Sequence, residues 1–504
     1  MAGLSVALTR CVSPSFAALA KAVHSLSLKL GRLSNLHLAT RIVAAYCKCG
    51  MVDEACQLFD EISATASFLD VVSWNTVITG CVQKGRDKDA FRYFNLMQSY
   101  YSRYRCDDEA FGADSYTLSS LLSSIRCLEK EPSIGNKLHG YAIRTGIVSS
   151  LSVSNALITF YAAWDQLWDA KQVFDTMPQR NVVSWTALIC GFARRRGHEE
   201  ESLRFFVHMM GDYTGQKPNQ FTFASVFSAC ASIAWFSQGT VIISLALKLG
   251  HFFNIHVQNS LIGFYSECGC LEDAVSAFDA LNEPDIVSWN SLLKGYSQQG
   301  RGKEALRILD GMCMKGTAPD SITFLSILSA CCHAGLTSQG LDLFSRMERD
   351  YGVKPRAEHI SCVVSLLGRA GLVREADVFI RGIGCEVGPS VWRTLLGACR
   401  VHRNVEVAEL AATELLQLEP CDSEAHVVLS HIYAENGRWD MVRNLRRSMK
   451  EKGVEKEEPG FSWIDVGNRV HSFVAADSGH PDMYEIEKRL IELTNNIKDE
   501  AAMC

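Results

Sequence analysis

Two sets of residues in this chain are of types that do chemistry. The first is thiols and imidazoles: 19 cysteines and 14 histidines in 504 residues. Their spacing argues against catalysis or metal binding. No Cys-x-x-Cys pair occurs, whereas thiolate zinc sites and disulfide frameworks show regular spacing. Many cysteines, among them Cys190, Cys230 and Cys399, sit inside apolar runs. They read as reduced, small, buried hydrophobes of a reducing compartment. Cys47-Lys-Cys49 and Cys268-Gly-Cys270 fall at helix ends around a turn glycine and read as packing residues. His198-Glu-Glu200 has the spacing of a zinc deaminase's His-x-Glu, in which the metal activates water and the glutamate moves the proton. It has no cysteine partner and reads as a solvated, charged turn. No Gly-rich phosphate loop or nucleophile motif appears. No metal, cofactor or catalytic residue is therefore expected.

The second set is a series of Asn, Asp and Thr residues returning at fixed places. Their short side chains offer hydrogen-bond donors and acceptors. The places are set by a repeat. Val71-Val-Ser-Trp-Asn75 returns as Val182-Val-Ser-Trp-Thr186 and Ile286-Val-Ser-Trp-Asn290, at spacings of 111 and 104 residues. Ser115-Tyr-Thr-Leu is echoed by Gln220-Phe-Thr-Phe and Ser321-Ile-Thr-Phe, and Val153-Ser-Asn-Ala-Leu-Ile-Thr-Phe-Tyr by Val257-Gln-Asn-Ser-Leu-Ile-Gly-Phe-Tyr. The chain thus repeats as triplets of related units.

Each unit reads as two helices. In 286–320, Trp289, Leu292, Leu293 and Tyr296 form one helical face, and Gly300 ends it. A second helix opens at Glu304-Ala305 and carries Leu306, Ile308, Leu309 and Met312; Gly316 and Pro319 then break the chain. Pairs four apart recur in second helices: Ala55/Phe59, Ala90/Phe94, Ala170/Phe174 and Ala274/Phe278. The small residue lets helices approach and the aromatic fills the gap to the neighbour. One unit alone buries too little, so the units must stack, giving an all-α, right-twisted α-solenoid with a long groove. Asp165 stands where a turn glycine is expected, and Gly197 is displaced by one residue. The unit 71–114 is long, and its Tyr100–Ala110 stretch is expected to loop out.

The bulk numbers agree. A chain of 504 residues is too long for one compact core. Formal charge is −6, so a globally basic nucleic-acid binder is excluded and any basic footprint is local. No apolar run is long enough for a transmembrane helix, and no membrane association is expected. Asp53 is the first acidic residue; Arg10, Lys21, Lys29, Arg32, Arg41 and Lys48 precede it among many Ser, Ala and Leu. That composition fits an organellar transit peptide, or equally the basic first helix of the array.

On these residues the chain resembles the plant pentatricopeptide-repeat proteins, in the subclass alternating P, L and S units. Triplet order, the Val-Val-Ser-Trp-Asn phrase and Phe174-Asp-Thr-Met-Pro178 carry the match over nearly the whole length. The units are placed as a transit peptide overlapping a partial L unit (1–35), then S 36–70, P 71–114, L 115–150, S 151–181, P 182–219, L 220–254, S 255–285 and P 286–320. A variant L unit at 321–356 and a variant S unit at 357–390, with Leu366-Leu-Gly-Arg-Ala-Gly371, close the array. Residues 391–458 resemble the family's E domain of two helix pairs, carried by Val391-Trp-Arg-Thr-Leu-Leu-Gly-Ala-Cys-Arg400 and Leu429-Ser-His-Ile-Tyr-Ala-Glu-Asn-Gly-Arg-Trp439. Residues 459–504, with Pro459-Gly-Phe-Ser-Trp-Ile464, Val470-His-Ser-Phe-Val474 and His480-Pro481, resemble its E-plus extension.

The resemblance implies that each P or S unit reads one nucleotide of single-stranded RNA through its fifth and last residues. Thr40/Asp70 then implies guanine, Asn75/Asp114 uracil, Asn155/Asn181 a pyrimidine and Thr186/Asn219 adenine. Asn259/Asp285 and Asn290/Asp320 both imply uracil. The L-unit pairs Ser119/Ser150, Ala224/Asn254 and Leu325/Arg356 imply no base, and these units look like spacers. The implied target is 5′-GUnYAnUU. Taken singly, such residues are common turn and cap residues; six in register are not. Full-length members of the subclass end in a cytidine deaminase-like (DYW) domain whose motif this sequence lacks. The resemblance therefore implies a non-enzymatic site-recognition factor for C-to-U RNA editing, in a mitochondrion or else a chloroplast, with a deaminase and editing cofactor proteins docking on 391–504. The alternatives are a factor for transcript stabilisation, splicing or translation, and a helical scaffold that binds only protein.

Overall fold

The computed structural model describes residues 13–454 except 34, 66–68, 104–111, 125–131, 213–214 and 384–386, together with 8, 461–466, 469–474 and 488–489. They belong to two compact units, Met1–Gly295 and Tyr296–Cys504. In each unit helix pairs stack in tandem as an α-solenoid.

Each of the repeats placed between 36 and 390 holds one helix pair, and each first helix starts at the residue that opens its repeat. The reason is local. At most starts the preceding residue is a short polar side chain: Asp70, Asn181, Asn219 and Asp320, in extended backbone, each accept the backbone N–H three residues on, while Arg356 stands before Ala357. Those are helix N-caps. Inside, the apolar face is fully used: Trp74, Val77, Ile78 and Cys81 are buried in helix Val71–Gln83. Within each unit the first helices of neighbouring repeats pack on one another, as Leu36–Cys49 does on Val71–Gln83 and Ser321–Ala334 on Ala357–Arg369, and most second helices pack against their own first helix and the next repeat's.

The connection between paired helices needs a left-handed residue. Gly50, Gly269 and Gly300 supply it at φ 83, 78 and 66°. Asp165, standing where glycine is absent, adopts φ 62° all the same. Asp tolerates this region better than most residues, and Arg195 pairs with it at 3.1 Å.

The small/aromatic pairs lie in the seams. Ala55, Ala170 and Ala274 are fully buried, and each partner aromatic meets the tryptophan of the next repeat edge to face. Phe59–Trp74, Phe174–Trp185 and Phe278–Trp289 have centroids 4.9, 4.6 and 4.6 Å apart. The two recurring phrases of the sequence are thus halves of one inter-repeat contact. Helix Ala17–Lys29 takes the place of an L-unit second helix: His24 Nδ1 lies 2.7 Å from Tyr46 Oη, as His139 Nδ1 does from Tyr161 Oη.

One expectation changes. The Tyr100–Ala110 stretch does not loop out at its start: helix Asp87–Arg103 runs through it. Tyr101 Oη donates to the Leu69 carbonyl and Leu69 N–H donates to Tyr100 Oη, both at 2.9 Å. Two neighbouring rings satisfy both backbone groups of one linker residue, which holds the extra turn in place. Residues 104–111 lie outside the described residues. Phe461–Val466 and Arg469–Val474 form an antiparallel pair in register Phe461↔Val474 to Val466↔Arg469. Alternating aromatic and β-branched residues around Gly467-Asn468 carry that hairpin signal in the sequence. The helix that opens the next pair is Pro389–Val401.

Candidate nucleic-acid interface

The sequence-marked residues meet at the N-terminal ends of the first helices. Within the first unit, the fifth residue of one such repeat stands beside its last residue, which caps the next repeat's first helix. Asn75 Nδ2 donates to both carboxylate oxygens of Asp114, each at 3.1 Å. Asn259 Nδ2 donates to Asp285 Oδ1 at 3.0 Å, and Asn155 Nδ2 to Asn181 Oδ1 at 3.5 Å. Thr40 and Thr186 hold the same fifth positions in repeats ending with Asp70 and Asn219. Asn290 has that position on helix Ile286–Gln298 in the first unit, and Asp320 caps Ser321–Ala334 in the second. The L-unit residues do not pair this way: Ser119 Oγ donates to Tyr116 O, and Asn254 accepts from His256 N–H.

A third residue that sequence reasoning left unused completes each cluster. It is the third residue of the following repeat, always Ser or Thr here. Ser184 Oγ lies 2.6 Å from Asn155 Oδ1 and 3.0 Å from Asn181 Oδ1. Ser288 Oγ lies 2.6 Å from Asn259 Oδ1 and 3.0 Å from Asp285 Oδ1. Thr117 Oγ1 contacts Asn75 and Asp114. Ser73 Oγ lies 2.8 Å from Thr40 Oγ1 and 2.5 Å from Asp70, and Thr222 Oγ1 lies 2.7 Å from Thr186 Oγ1 and 3.0 Å from Asn219. Thr323 Oγ1 lies 2.9 Å from Asp320. The signal was present as the recurring Ser or Thr of Val-Ser-Trp and Tyr-Thr-Leu.

The electrostatics follow. A carboxylate can only accept, so Asp114 and Asp285 force the neighbouring amide to turn its NH₂ inward, leaving its carbonyl to the hydroxyl. Burial pushes the Asp285 carboxyl up, but Ser288 N–H, the Asn259 amide and Ser288 Oγ outweigh it, and the net shift is downward.

Two clefts open above these clusters. One of about 340 Å³ is lined by Lys48, Val72, Asn75, Asp114 and Tyr116. A wider one of about 1050 Å³ is lined by Phe221, His256, Asn259, Asp285, Val287 and Lys294. Asn75 and Asn259 form their floors, only 8 and 6% exposed. Their rims carry second residues of repeats that are apolar and exposed, Val72 at 64%, Tyr116 at 56% and Val287 at 52%, with His256 in the same place in the wider cleft. Sequence reasoning missed these too. A polar floor between apolar or aromatic rims suits a flat heteroaromatic ring, gripped by its faces and read along its edge.

His198 and Glu200 are placed otherwise. His198 packs on Phe192 and Trp168, with centroids at 5.9 and 6.3 Å. Glu200 faces Arg204 at 3.6 Å. Among the described residues, no group of three or more His, Cys, Asp or Glu could hold a metal ion, and no helix is long and apolar enough to cross a membrane.

Comparison with known proteins places these features in a family. Residues 40–64, 72–101, 152–182 and 322–351 match the PPR repeat, 284–333 the PPR repeat family and 402–465 the E motif. The chain is 35% identical to the pentatricopeptide repeat-containing protein CRR2, chloroplastic, of Arabidopsis thaliana, over 95% of this chain and 71% of that protein. It is 34% identical to a second Arabidopsis thaliana pentatricopeptide repeat-containing protein, named as mitochondrial, over 95% of this chain and 60% of that one. Among solved structures it is similar to the pentatricopeptide repeat protein PPR10 from maize, with TM-score 0.62 and 19% identity over 86% of this chain and 61% of that one. PPR10 in complex with an 18-nt psaJ RNA element gives 0.60 and 18% over 84% and 62%.

Proposed function

The chain belongs to the pentatricopeptide repeat family, as a PLS-type member with an E motif, and on that premise we propose that it binds single-stranded RNA base by base and marks cytidines for C-to-U editing in an organelle. The observation that supports this reading is the set of paired residues. Six repeats carry an Asn or Thr at the fifth place and an Asp or Asn at the last. Three of these pairs are hydrogen-bonded directly, and two of the bonded pairs floor the clefts. In the family's vocabulary the array reads 5′-GUnYAnUU.

Each part has a task. The rims, Val72, Tyr116, Val183 and Val287, clamp base faces; the paired residues read the edges. Thr186 with Asn219 takes adenine, and Asn259 with Asp285 takes uracil. The E motif and residues 459–504 receive a deaminase and editing cofactors from other chains, so this chain selects and its partner reacts. The compartment is an organelle, as relatives named for a chloroplast and for a mitochondrion support, and the acid-free, Arg-, Ser-, Ala- and Leu-containing first residues favour a mitochondrion over a chloroplast. The units 1–35, 36–390, 391–458 and 459–504 divide the work as leader, array, E domain and E-plus extension.

Sequencing organellar transcripts from a plant lacking the protein tests this. Loss of editing at one or a few cytidines downstream of the matched sequence is expected. Intact editing with altered transcript size or abundance overturns the editing role in favour of processing or stabilisation. Failure of the purified chain to bind any single-stranded RNA at low salt leaves a protein scaffold.

A further inference from the structure

We propose that the Ser or Thr at the third position of each following repeat is a positioning residue for base reading, so that every reading site is built by two consecutive repeats. This rests on the base-reading proposal above. Because the repeat after each P unit is an L unit, the L units, mute themselves, supply a working part to the P unit before them.

The distribution carries the inference. After each of the six P and S units that hold a reading pair, the third residue is a hydroxyl: Ser73, Thr117, Ser184, Thr222, Ser288 and Thr323. After each L unit it is not: Val153, Val257 and His359 follow the pairs 119/150, 224/254 and 325/356. Val153 and Val257 are fully buried. The hydroxyl marks the same repeats as the reading pairs, and it does so independently of them in the sequence.

Helix capping explains only part of it: Ser184, Thr222, Ser288 and Thr323 accept the cap residue's own backbone N–H. The other capping bond, from the third residue's backbone N–H to the last residue, at 2.8 Å for Asp285 and 2.9 Å for Asn181, does not use the hydroxyl. Asn254 caps helix Ile255–Glu267 with a valine in that place. Nor does a capping box require the hydroxyl to touch the preceding repeat. Yet Ser73, Thr117, Ser184, Thr222 and Ser288 all contact the fifth residue across the seam. The consequence is orientation. In the Asn repeats the hydroxyl holds the amide carbonyl while the last residue holds one N–H of the NH₂. Torsion about the amide is then fixed, and the second N–H is the group left to meet a base. In the Thr repeats it holds the hydroxyl of Thr40 or Thr186, so a short polar group presents one rotamer instead of several.

The test uses the full chain and synthetic single-stranded RNA carrying 5′-GUNYANUU. At the seventh base, uracil is exchanged for cytosine; at the fifth, adenine for guanine. The ratio of dissociation constants is read at each site, alongside the melting temperature. Ser288→Ala is expected to reduce the uracil preference about five- to tenfold, the size of one net hydrogen bond, and Ser288→Thr to restore it. Thr222→Val keeps the side-chain volume and is expected to reduce the adenine preference while the seventh base is read as before. A role confined to packing would lower the melting temperature and leave both ratios unchanged. Unchanged ratios in the variants, with wild type discriminating, overturn the positioning role and leave the base-reading proposal standing. Absence of discrimination by the wild type overturns both.

Discussion

Asn259 donates through Nδ2 to Asp285 Oδ1 at 3.0 Å, joining the fifth residue of one repeat to the residue that caps the next repeat's first helix. The bond ties a recognition group to the solenoid's own geometry. Neither partner can turn without disturbing the seam, so the floor of the cleft is preorganised before any ligand enters it.

That bond sets a pH dependence. Asp285 titrates below the ordinary carboxylate range, because the donors around it outweigh the effect of burial. A depressed folded-state value means its stabilising contribution is complete above the unfolded pKa, about 3.9, and is lost as pH falls through the folded one. Binding at the seventh base is therefore expected to be unchanged down to about pH 5. Carbon-13 detection of the Asp285 carboxyl checks it: a midpoint at or above the ordinary value contradicts the network.

The Phe174–Trp185 contact makes a stability prediction. Both rings are buried, and Phe174→Ala is expected to cost about 3–5 kcal/mol. Because stacked repeats interact with nearest neighbours, the loss should be local. Hydrogen exchange should accelerate in helices Leu167–Thr176 and Val182–Ala193 before it does in Leu36–Cys49. Uniform acceleration would contradict nearest-neighbour stacking.

Two glycines should respond with opposite signs. A Cβ at Gly239 would stand 2.1 Å from Phe264 Cζ, so the helices approach closely there. Gly239→Ala is expected to destabilise by about 1–3 kcal/mol. A Cβ at Gly263 would meet nothing outside its own helix backbone within 4 Å, and the same change in a helix interior is expected to stabilise by up to about 1 kcal/mol. Thermal melts of the two variants decide it; a Gly239→Ala protein as stable as wild type contradicts the packing.

Thr40 and Asn259 share one position in two repeats and differ in the base they imply. Thr40→Asn creates beside Asp70 the Asn/Asp pair found at Asn259/Asp285. It is expected to turn a guanine preference at the first base into a uracil preference, by about tenfold where one good edge contact is exchanged. Binding to RNAs differing only in that base measures it, and an unchanged guanine preference sinks the pairing of this site with the first base.

Much of this was legible in the sequence because a repeat shows each contact several times. The caps at Asp70, Asn181 and Asp320 and the paired Ala/Phe positions could be read from spacing alone. Other features required proximity across a seam. That Phe174 meets Trp185, or that Ser288 reaches back to Asn259, follows from stacking rather than periodicity. Tyr100 and Tyr101 looked like insertion because no other repeat has them, yet they clamp Leu69. The alternation of the 461–474 hairpin also stands in the chain.

The most direct test of the central claim is equilibrium binding of the full chain to 5′-GUNYANUU RNA, with each base exchanged in turn. Exchanges at the six read positions are predicted to weaken binding, and exchanges at the two unassigned positions, which face L units, to leave it unchanged. Equal affinity for all of these RNAs would contradict it.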